Sequence, residues 1–340
     1  SGSLETTDSG SDIAVTTGST SGDITLTGTT TALDLVTMTT ASGSINGSGL
    51  VTSDTVDLNA SSGIGNTTGI TLSASNISAD TTVGDVEIAN SLGTAVSVSS
   101  LTTGTGSVSF SQSGGGDVST SSVFASVAVA LSNAAGSLSL AGTVIGDSLN
   151  ATATGAITDG SDGDLAIAGL AEFTADSLEL GNDAGNATNF GTLTFNSTGS
   201  VTVSEDSSLD LFGTNTAGSA SLVSVAGVSD ALAASVNVTG LLDVSGTSIA
   251  LGSGTSVFNT GTLTFNSAGS VNIAEDSSML VSGPSSAGSG LDLVAADDVT
   301  LDSTVTVVGD VSIIAGTTSG GITVNAKLNG SGTILLDAAD

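Results

Sequence analysis

The chain has 340 residues, 33 of them acidic, with a formal net charge of −32, and Lys327 is its only basic residue. Without a basic face the protein cannot neutralise phosphates, which excludes nucleic-acid binding and disfavours attachment to anionic lipid. Hydrophobic residues make up 38% of the chain and proline occurs once, so the composition predicts a folded protein rather than a disordered one.

Pairs of apolar residues separated by one residue recur along the chain and predict short β-strands with one buried face. In chain order the pairs are Ile13/Val15, Ile24/Leu26, Leu33/Leu35, Val86/Ile88, Val108/Phe110, Val201/Val203, Leu209/Leu211, Val236/Val238, Ile249/Leu251, Val305/Val307, Ile322/Val324 and Ile334/Leu336. Gly, Ser, Asn and Asp between the pairs predict turns. The alanine-rich segment 123–138 has helix propensity, but its alternation of Val127, Val129 and Leu131 favours a strand.

A longer repeat is superimposed on the strand pattern. The sequence GTLTFNS at 191–197 returns at 261–267, and EDSS at 205–208 returns at 275–278, both at an offset of 70 residues. Segment 169–181 similarly matches 240–252. Three strands in a coil of about 23 residues would place three coils in each repeat, and coils of that length are typical of solenoids.

We therefore predict an all-β fold, a parallel β-helix (β-solenoid) of about 23 residues per coil with a super-repeat of about 70 residues. A β-propeller is disfavoured because its blades usually carry aromatic motifs, whereas this chain has no Trp and no Tyr. Residues 1–340 are predicted to form one continuous solenoid segment, with degenerate repeats over 1–168 and clearer repeats over 169–340.

The repeated block predicts specific inward and corner positions. Leu193 and Phe195 in one copy, and Leu263 and Phe265 in the other, are expected to fill equivalent inward sites three coils apart. Asn196 and Asn266 follow these strands, and we expect them to form hydrogen bonds along the stack of coils. Their role would then be structural.

The sequence pattern of the repeats resembles that of a known family. ATATGAITDGSDGDLAIAGLAEFTADSLELG at 151–181, followed by NFGTLTFNSTGSVTV at 189–203, is similar to the repeats of filamentous haemagglutinin-type bacterial exoproteins. That family includes two-partner-secreted adhesins, and autotransporter passengers share the architecture. The resemblance implies a right-handed parallel β-helix that serves as a long stalk or fibre at the bacterial cell surface.

The EDSS sequence is the first of two candidate cation sites. Glu205 and Asp206, like Glu275 and Asp276, lie between two predicted strands. One interpretation is a polar corner that solvates the turn. The other is a calcium ladder, although copies three coils apart, about 14 Å, are too distant to share one ion.

The second candidate is the sequence TDGSDGDL. Asp159, Asp162 and Asp164 fall within six residues, and the intervening glycines allow a tight wrap around Ca²⁺, which prefers carboxylate oxygens. The spacing lacks the twelve-residue pattern and the closing Glu of an EF-hand. These three aspartates are the predicted metal ligands.

The residue inventory also argues against catalysis. The chain has no His and no Cys, so it cannot build a Ser–His or Cys–His nucleophile. Two carboxylates can hydrolyse a glycosidic bond, but sugar sites normally add aromatic platforms and basic clamps, which this composition does not supply. We expect the protein not to be an enzyme.

We predict an extracellular structural protein, a segment of a long surface fibre or adhesin stalk that mediates adhesion or contact with cells or matrix. The alternatives are a calcium-responsive binding module and the subunit of a homopolymeric filament. Expected partners are an adhesive target and neighbouring solenoid segments or fibres bridged by divalent cations. No apolar run approaches the ~18 residues of a membrane span. Caps, secretion regions and anchors are expected to lie outside this segment.

Overall fold

A computed structural model describes residues 3–18, 22–316 and 319–339, which form two compact units. The first unit runs to Asp176 and includes Asp183–Ala187, and the second comprises Ser177–Asn182 and the chain from Thr188 onwards. The described strands pair in parallel, and no helix occurs among the described residues. Within each unit the strands stack as a β-solenoid whose coils are about 21 residues apart. The predicted parallel β-helix is confirmed, with a coil shorter than the expected 23 residues.

The bounds of the strands show how short most of them are. The first unit contains β1 (Leu4–Glu5), β2 (Ile13–Thr17), β3 (Ile24–Thr25), β4 (Thr30–Thr31), β5 (Leu35–Thr40), β6 (Ile45–Asn46), β7 (Leu50–Thr52), β8 (Thr55–Ala60), β9 (Ile70–Ser73), β10 (Asn76–Thr81), β11 (Val86–Asn90), β12 (Val96–Thr103), β13 (Val108–Gln112), β14 (Val118–Phe124), β15 (Ala128–Asn133), β16 (Leu138–Gly146), β17 (Ser148–Ala153), β18 (Ala156–Thr158) and β19 (Leu165–Ala175). The second unit contains β20 (Ser177–Leu180), β21 (Thr188–Ser197), β22 (Ser200–Glu205), β23 (Leu209–Leu211), β24 (Thr214–Ala217), β25 (Ser219–Ser224), β26 (Gly227–Asp230), β27 (Ser235–Gly246), β28 (Ser248–Leu251), β29 (Val257–Ser267), β30 (Ser270–Glu275), β31 (Met279–Val281), β32 (Ser285–Ala287), β33 (Gly290–Ala295), β34 (Val299–Leu301), β35 (Val305–Val307), β36 (Asp310–Ala315), β37 (Ile322–Val324), β38 (Leu328–Gly330) and β39 (Ile334–Ala338). The prediction of one continuous solenoid over 1–340 stays a prediction.

Apolar columns form the core of each unit. Because parallel coils stack in register, each inward residue lies directly on its counterpart in the previous coil. One column of the first unit consists of Val36, Val56, Ile77, Val98, Thr120 and Leu140, all fully buried. At about 25 cal/mol per Å² of apolar area, such columns supply most of the stabilising free energy.

Stacked amides also lie inside the first unit. Asn90, Gln112 and Asn133 end the successive strands β11, β13 and β15, and each is about 1% exposed. The Nδ2 of Asn90 donates to the Oε1 of Gln112 at 2.8 Å and to the carbonyl oxygen of Ala74 at 3.0 Å. The Nδ2 of Asn133 donates to the carbonyl oxygen of Gly116. These amides satisfy carbonyl groups at corners, where strand pairing stops.

The 70-residue repeat does not contain a whole number of coils. Leu193 and Leu263 are both fully buried, as predicted, but they belong to different columns. Leu263 stacks on Leu242, and its column continues through Ala220 to Val201, on the strand after Leu193. Seventy residues span about three and a third coils of about 21 residues. The expected separation of exactly three coils is therefore wrong, and the second copy begins one strand further around the coil.

The local pairing of the repeated block is nevertheless the same in both copies. Leu193 pairs with Leu211 on the next coil, and Leu263 pairs with Val281. The Oδ1 of Asn196 accepts a hydrogen bond from Thr216 at 3.1 Å. In the second copy, the Oδ1 of Asn266 accepts a hydrogen bond from the hydroxyl of Ser286 at 2.6 Å. The predicted bonding of both asparagines along the stack is confirmed.

Several predicted inward positions are exposed: Val324, Ile334 and Leu336 lie in the coil of β37 to β39, and Leu33 and Val127 lie in corners. Leu33 lies between β4 and β5 and is 53% exposed, because the buried residues of β5 are Val36 and Met38 rather than Leu35. Val127 lies just before β15 and is also 53% exposed. In both cases the strand begins later than the alternating pattern suggests, so the first apolar residue falls in the preceding corner.

Glycines are required where one coil crosses closely over another. A Cβ added to Gly116 would overlap the carbonyl oxygen of Thr94 on the previous coil. We predict that Gly116→Ala lowers the free energy of unfolding by about 1–3 kcal/mol, because the corner must shift to admit the methyl group. Denaturant unfolding measures the change. The matched control is Gly93→Ala, whose Cβ would meet only the carbonyl oxygen of Gly114 at 3.5 Å. Equal losses in the two variants would contradict the close-crossing argument.

Candidate functional site

The three aspartates predicted to bind calcium face different environments. Asp159 is 1% exposed, Asp162 is exposed, and Asp164 is partly buried. The Oδ1 of Asp164 accepts the backbone N–H of Ala187 at 2.9 Å. Within the described ranges no group of three or more acidic side chains is arranged to hold a metal ion. The calcium site stays a prediction, and the geometry adds no support to it.

A small hollow of about 190 Å³ lies beside two of these aspartates, Asp162 and Asp164, in the first unit. Asn186 also lines it, and its Nδ2 donates to the carbonyl oxygen of Gly160 at 2.6 Å. The Oδ1 of Asn186 is buried and accepts no hydrogen bond. The hollow is therefore lined by two carboxyl groups, and the buried Asp159 does not line it.

Aspartate carboxylates hold many of the corners. In the described chain six aspartates share one contact, in which Oδ1 accepts the backbone N–H of a residue 20 to 23 positions later, at 2.7 to 2.9 Å. The pairs are Asp23 with Ser44, Asp85 with Ser107, Asp117 with Ser137, Asp164 with Ala187, Asp298 with Gly321, and Asp310 with Thr333. A corner N–H has no strand partner, so the carboxylate satisfies it. Asp164 thus acts as a corner acceptor.

This contact has a sequence signature that the initial interpretation missed. Each of the six aspartates directly precedes an apolar strand residue, and most of the donors are preceded by glycine one coil later, as in Gly43-Ser44 and Gly106-Ser107. A Cβ on Gly106 would lie 2.9 Å from the Oδ1 of Asp85, so glycine keeps the carboxylate accessible. At Asp23 the N–H and hydroxyl of Ser44 lower the pKa of the carboxyl group, because both hydrogen bonds favour the charged form.

The two EDSS corners contain the most deeply buried glutamates. Glu205 is 1% exposed and Glu275 is 3% exposed. The Oε1 of Glu205 accepts the backbone N–H of Phe190 at 3.0 Å, and the Oε1 of Glu275 accepts that of Thr260 at 2.9 Å. The interpretation of EDSS as a corner is confirmed. The expectation that the corner solvates the turn is wrong for the glutamates, because their carboxyl groups lie inside.

The neighbouring aspartates complete each corner from outside. Asp206 and Asp276 are exposed. The Oδ2 of Asp206 accepts the N–H of Thr188 at 3.1 Å, and that of Asp276 accepts the N–H of Phe258 at 2.9 Å. Each EDSS corner therefore holds the first residues of a long strand, β21 or β29, through two carboxyl groups.

Burial changes the protonation of the two glutamates. It raises the pKa of Glu205 and of Glu275 from 4.5 to about 7, because desolvation disfavours the charged form. Hydrogen bonds from the backbone and from Ser207 or Ser277 oppose this rise. The Oε2 of Glu275 is buried without a hydrogen-bond partner. The two carboxyl groups therefore keep their protons to a higher pH than exposed glutamates do.

A polar groove of about 360 Å³ crosses three coils of the first unit. Thr39, Asn59 and Asp80 contribute to its lining, which contains no aromatic and no basic side chain. The Nδ2 of Asn59 donates to the Oδ1 of Asp57, so part of its hydrogen-bonding capacity is already used within the protein. The groove presents hydroxyl, amide and carboxylate groups, without the aromatic platform that sugar sites normally add.

The corner aspartates make a direct prediction. Asp117→Ala removes the acceptor of the Ser137 N–H, and we expect a loss of about 0.5–1.5 kcal/mol in the free energy of unfolding and faster hydrogen exchange at the Ser137 amide. Asp117→Asn keeps an acceptor oxygen at the same place and is the matched control. Unchanged exchange at Ser137 in the alanine variant would show that the contact does not hold the corner.

Comparisons with known proteins do not assign the chain to a family. No protein family, no curated protein and no solved structure matches it. In the part of the chain that the structure describes, no helix is long and apolar enough to cross a bilayer.

Proposed function

We propose that this chain is a segment of an extracellular structural fibre, a β-solenoid stalk that mediates adhesion or contact with cells or matrix. The observation that carries the proposal is the unbroken stacking of inward columns in each unit, such as Val36 through Leu140. The repeat resemblance to filamentous haemagglutinin-type exoproteins supports the same role. A stalk of this kind would act as a mechanical spacer and would not catalyse a reaction.

The mechanism of a stalk is mechanical. Each coil is tied to the next by main-chain hydrogen bonds in parallel register, by buried apolar columns and by the corner carboxylates. Outward positions are mostly small and polar, and the net charge of −32 keeps separate fibres apart over about 8 Å in physiological salt. We further propose that partners are neighbouring solenoid segments or fibres, bridged by divalent cations that neutralise this charge.

A second candidate is the subunit of an end-to-end filament, in which a coil of one copy stacks on a coil of another. In the coil formed by β37, β38 and β39, residues that continue the inward columns are exposed. Ile334 pairs with Val311 and Leu336 pairs with Ile313, yet Ile334 and Leu336 are 43% and 46% exposed. Another parallel coil laid on this surface, from further chain or from a second copy, would bury them and pair the strand edges.

Stretching the protein tests the stalk proposal. With the chain held at both ends in a force experiment, we expect stepwise unfolding, because coils share cooperative contacts only with their neighbours. Each coil of about 21 residues should release roughly 7 nm of extended chain, so the steps should be multiples of that length. Smooth extension without force peaks would contradict a mechanical role.

Leu336→Lys tests the filament proposal against lateral bridging. We expect the substitution to abolish concentration-dependent end-to-end association, measured by light scattering with excess chelator present, because a buried lysine would be desolvated without a partner. Leu335→Lys is the matched control. Leu335 is 52% exposed and pairs with Ser312 on the outward face, so a lysine there would stay in water. Association that survives Leu336→Lys but disappears on chelation identifies cation bridging between fibres. A chain that stays monomeric at high concentration excludes the filament.

A further inference from the structure

The EDSS corners contain two buried acids in matching positions. Glu205 ends β22 and Glu275 ends β30, and each reaches back 15 residues to the start of the preceding strand. The same contact has thus been kept in two copies that lie on different faces of the coil. We propose that Glu205 and Glu275 are a matched pair of proton-dependent clamps, each closing the corner at the start of a long strand when protonated and loosening it when ionised.

The geometry explains why protonation closes the clamp. A neutral carboxyl group still offers Oε1 to the N–H of Phe190 or Thr260, so the hydrogen bond survives protonation. Ionisation instead places a negative charge in a corner from which water is excluded. At Glu275 the buried Oε2 has no partner to stabilise that charge. The ionised carboxylate can then be solvated only if the corner opens to water.

The surrounding elements bring no positive charge to either glutamate. Strands β21, β22 and β25 contain no charged residue besides Glu205 itself, and β20 carries Glu179, on a strand whose register pairs that residue with Thr202. Asp206 is the adjacent charge in the corner, and it disfavours ionisation.

Around Glu275 the arrangement is similar. Strands β28 and β29 contain no charged residue, β33 carries Asp292, and Asp276 and Asp297 lie in the adjacent corners. All of these groups are acidic. Their ionisation therefore acts in the same direction as burial and favours the protonated clamp.

The direction of the pH effect follows from the raised pKa values. Between the unfolded value of 4.5 and the folded value of about 7, the folded state holds more protons than the unfolded state. The stabilisation is therefore complete below pH 4.5 and is lost as pH rises through 7. The coils of the stalk would be tied more tightly in mildly acidic surroundings than at neutral pH, a property that the stalk proposal does not require.

Site-resolved hydrogen exchange tests the clamps. In the full chain we expect protection of the Phe190 and Thr260 amides, corrected for intrinsic exchange, to fall by up to about a hundredfold between pH 5 and pH 8. Glu205→Gln should remove the pH dependence at Phe190 and leave it at Thr260, and Glu275→Gln should do the reverse. The untouched copy is thus the internal control for folding of each variant.

A surface substitution separates the clamp from the general effect of charge. Glu87→Gln removes one negative charge from an exposed position in the first unit, and it should leave both pH profiles unchanged. Protection that stays constant from pH 5 to pH 8, or that falls equally in the glutamine variants and in the parent chain, would overturn the proposal. Neither result would affect the stalk proposal, which the force experiment tests independently.

Discussion

Parallel stacking of coils in register is the constraint on which the structure depends. Because each coil pairs its main chain with the coil before it, a side chain that points inward meets its own counterpart one coil away. A column such as Val36, Val56 and Ile77 must therefore be apolar throughout or satisfy itself, as the stacked amides Asn90 and Gln112 do. The same rule makes the protein tolerant of small polar residues outside and intolerant of them inside.

At the corners the main chain does not pair with the next coil, and acidic side chains accept the hydrogen bonds of its N–H groups there. A strand satisfies its N–H groups through the ladder, but the residues between strands have no such partner. Asp117 accepts the N–H of Ser137, and Glu205 accepts that of Phe190 from inside the fold. Part of the large negative charge is thus explained by local structure, since a carboxylate is a strong acceptor for an unpaired N–H. The charge alone is not evidence for a cation-binding function.

The sequence repeat and the structural repeat are different periods. The offset of 70 residues places the two copies of GTLTFNS on different faces of a coil of about 21 residues. Both positions accept the same sequence because every face of the coil requires an apolar inward residue on a strand that pairs with the next coil. Leu193 and Leu263 can therefore pair with Leu211 and Val281 in the same way while occupying different columns. In a fold with distinct environments on each face, such a shift would not be tolerated.

The amino-acid sequence by itself determined the class of fold, because the alternation of apolar and polar residues is a local property. In every coil it places the apolar side chains on the inward face of a strand. It correctly placed Leu193 and Phe195 inside. Coil length, the burial of Glu205 and the different exposures of Asp159 and Asp162 were decided only by the tertiary structure. These depend on which residue of one coil lies above which residue of the next, and that register is set by loops and corners whose sequences carry little periodic signal.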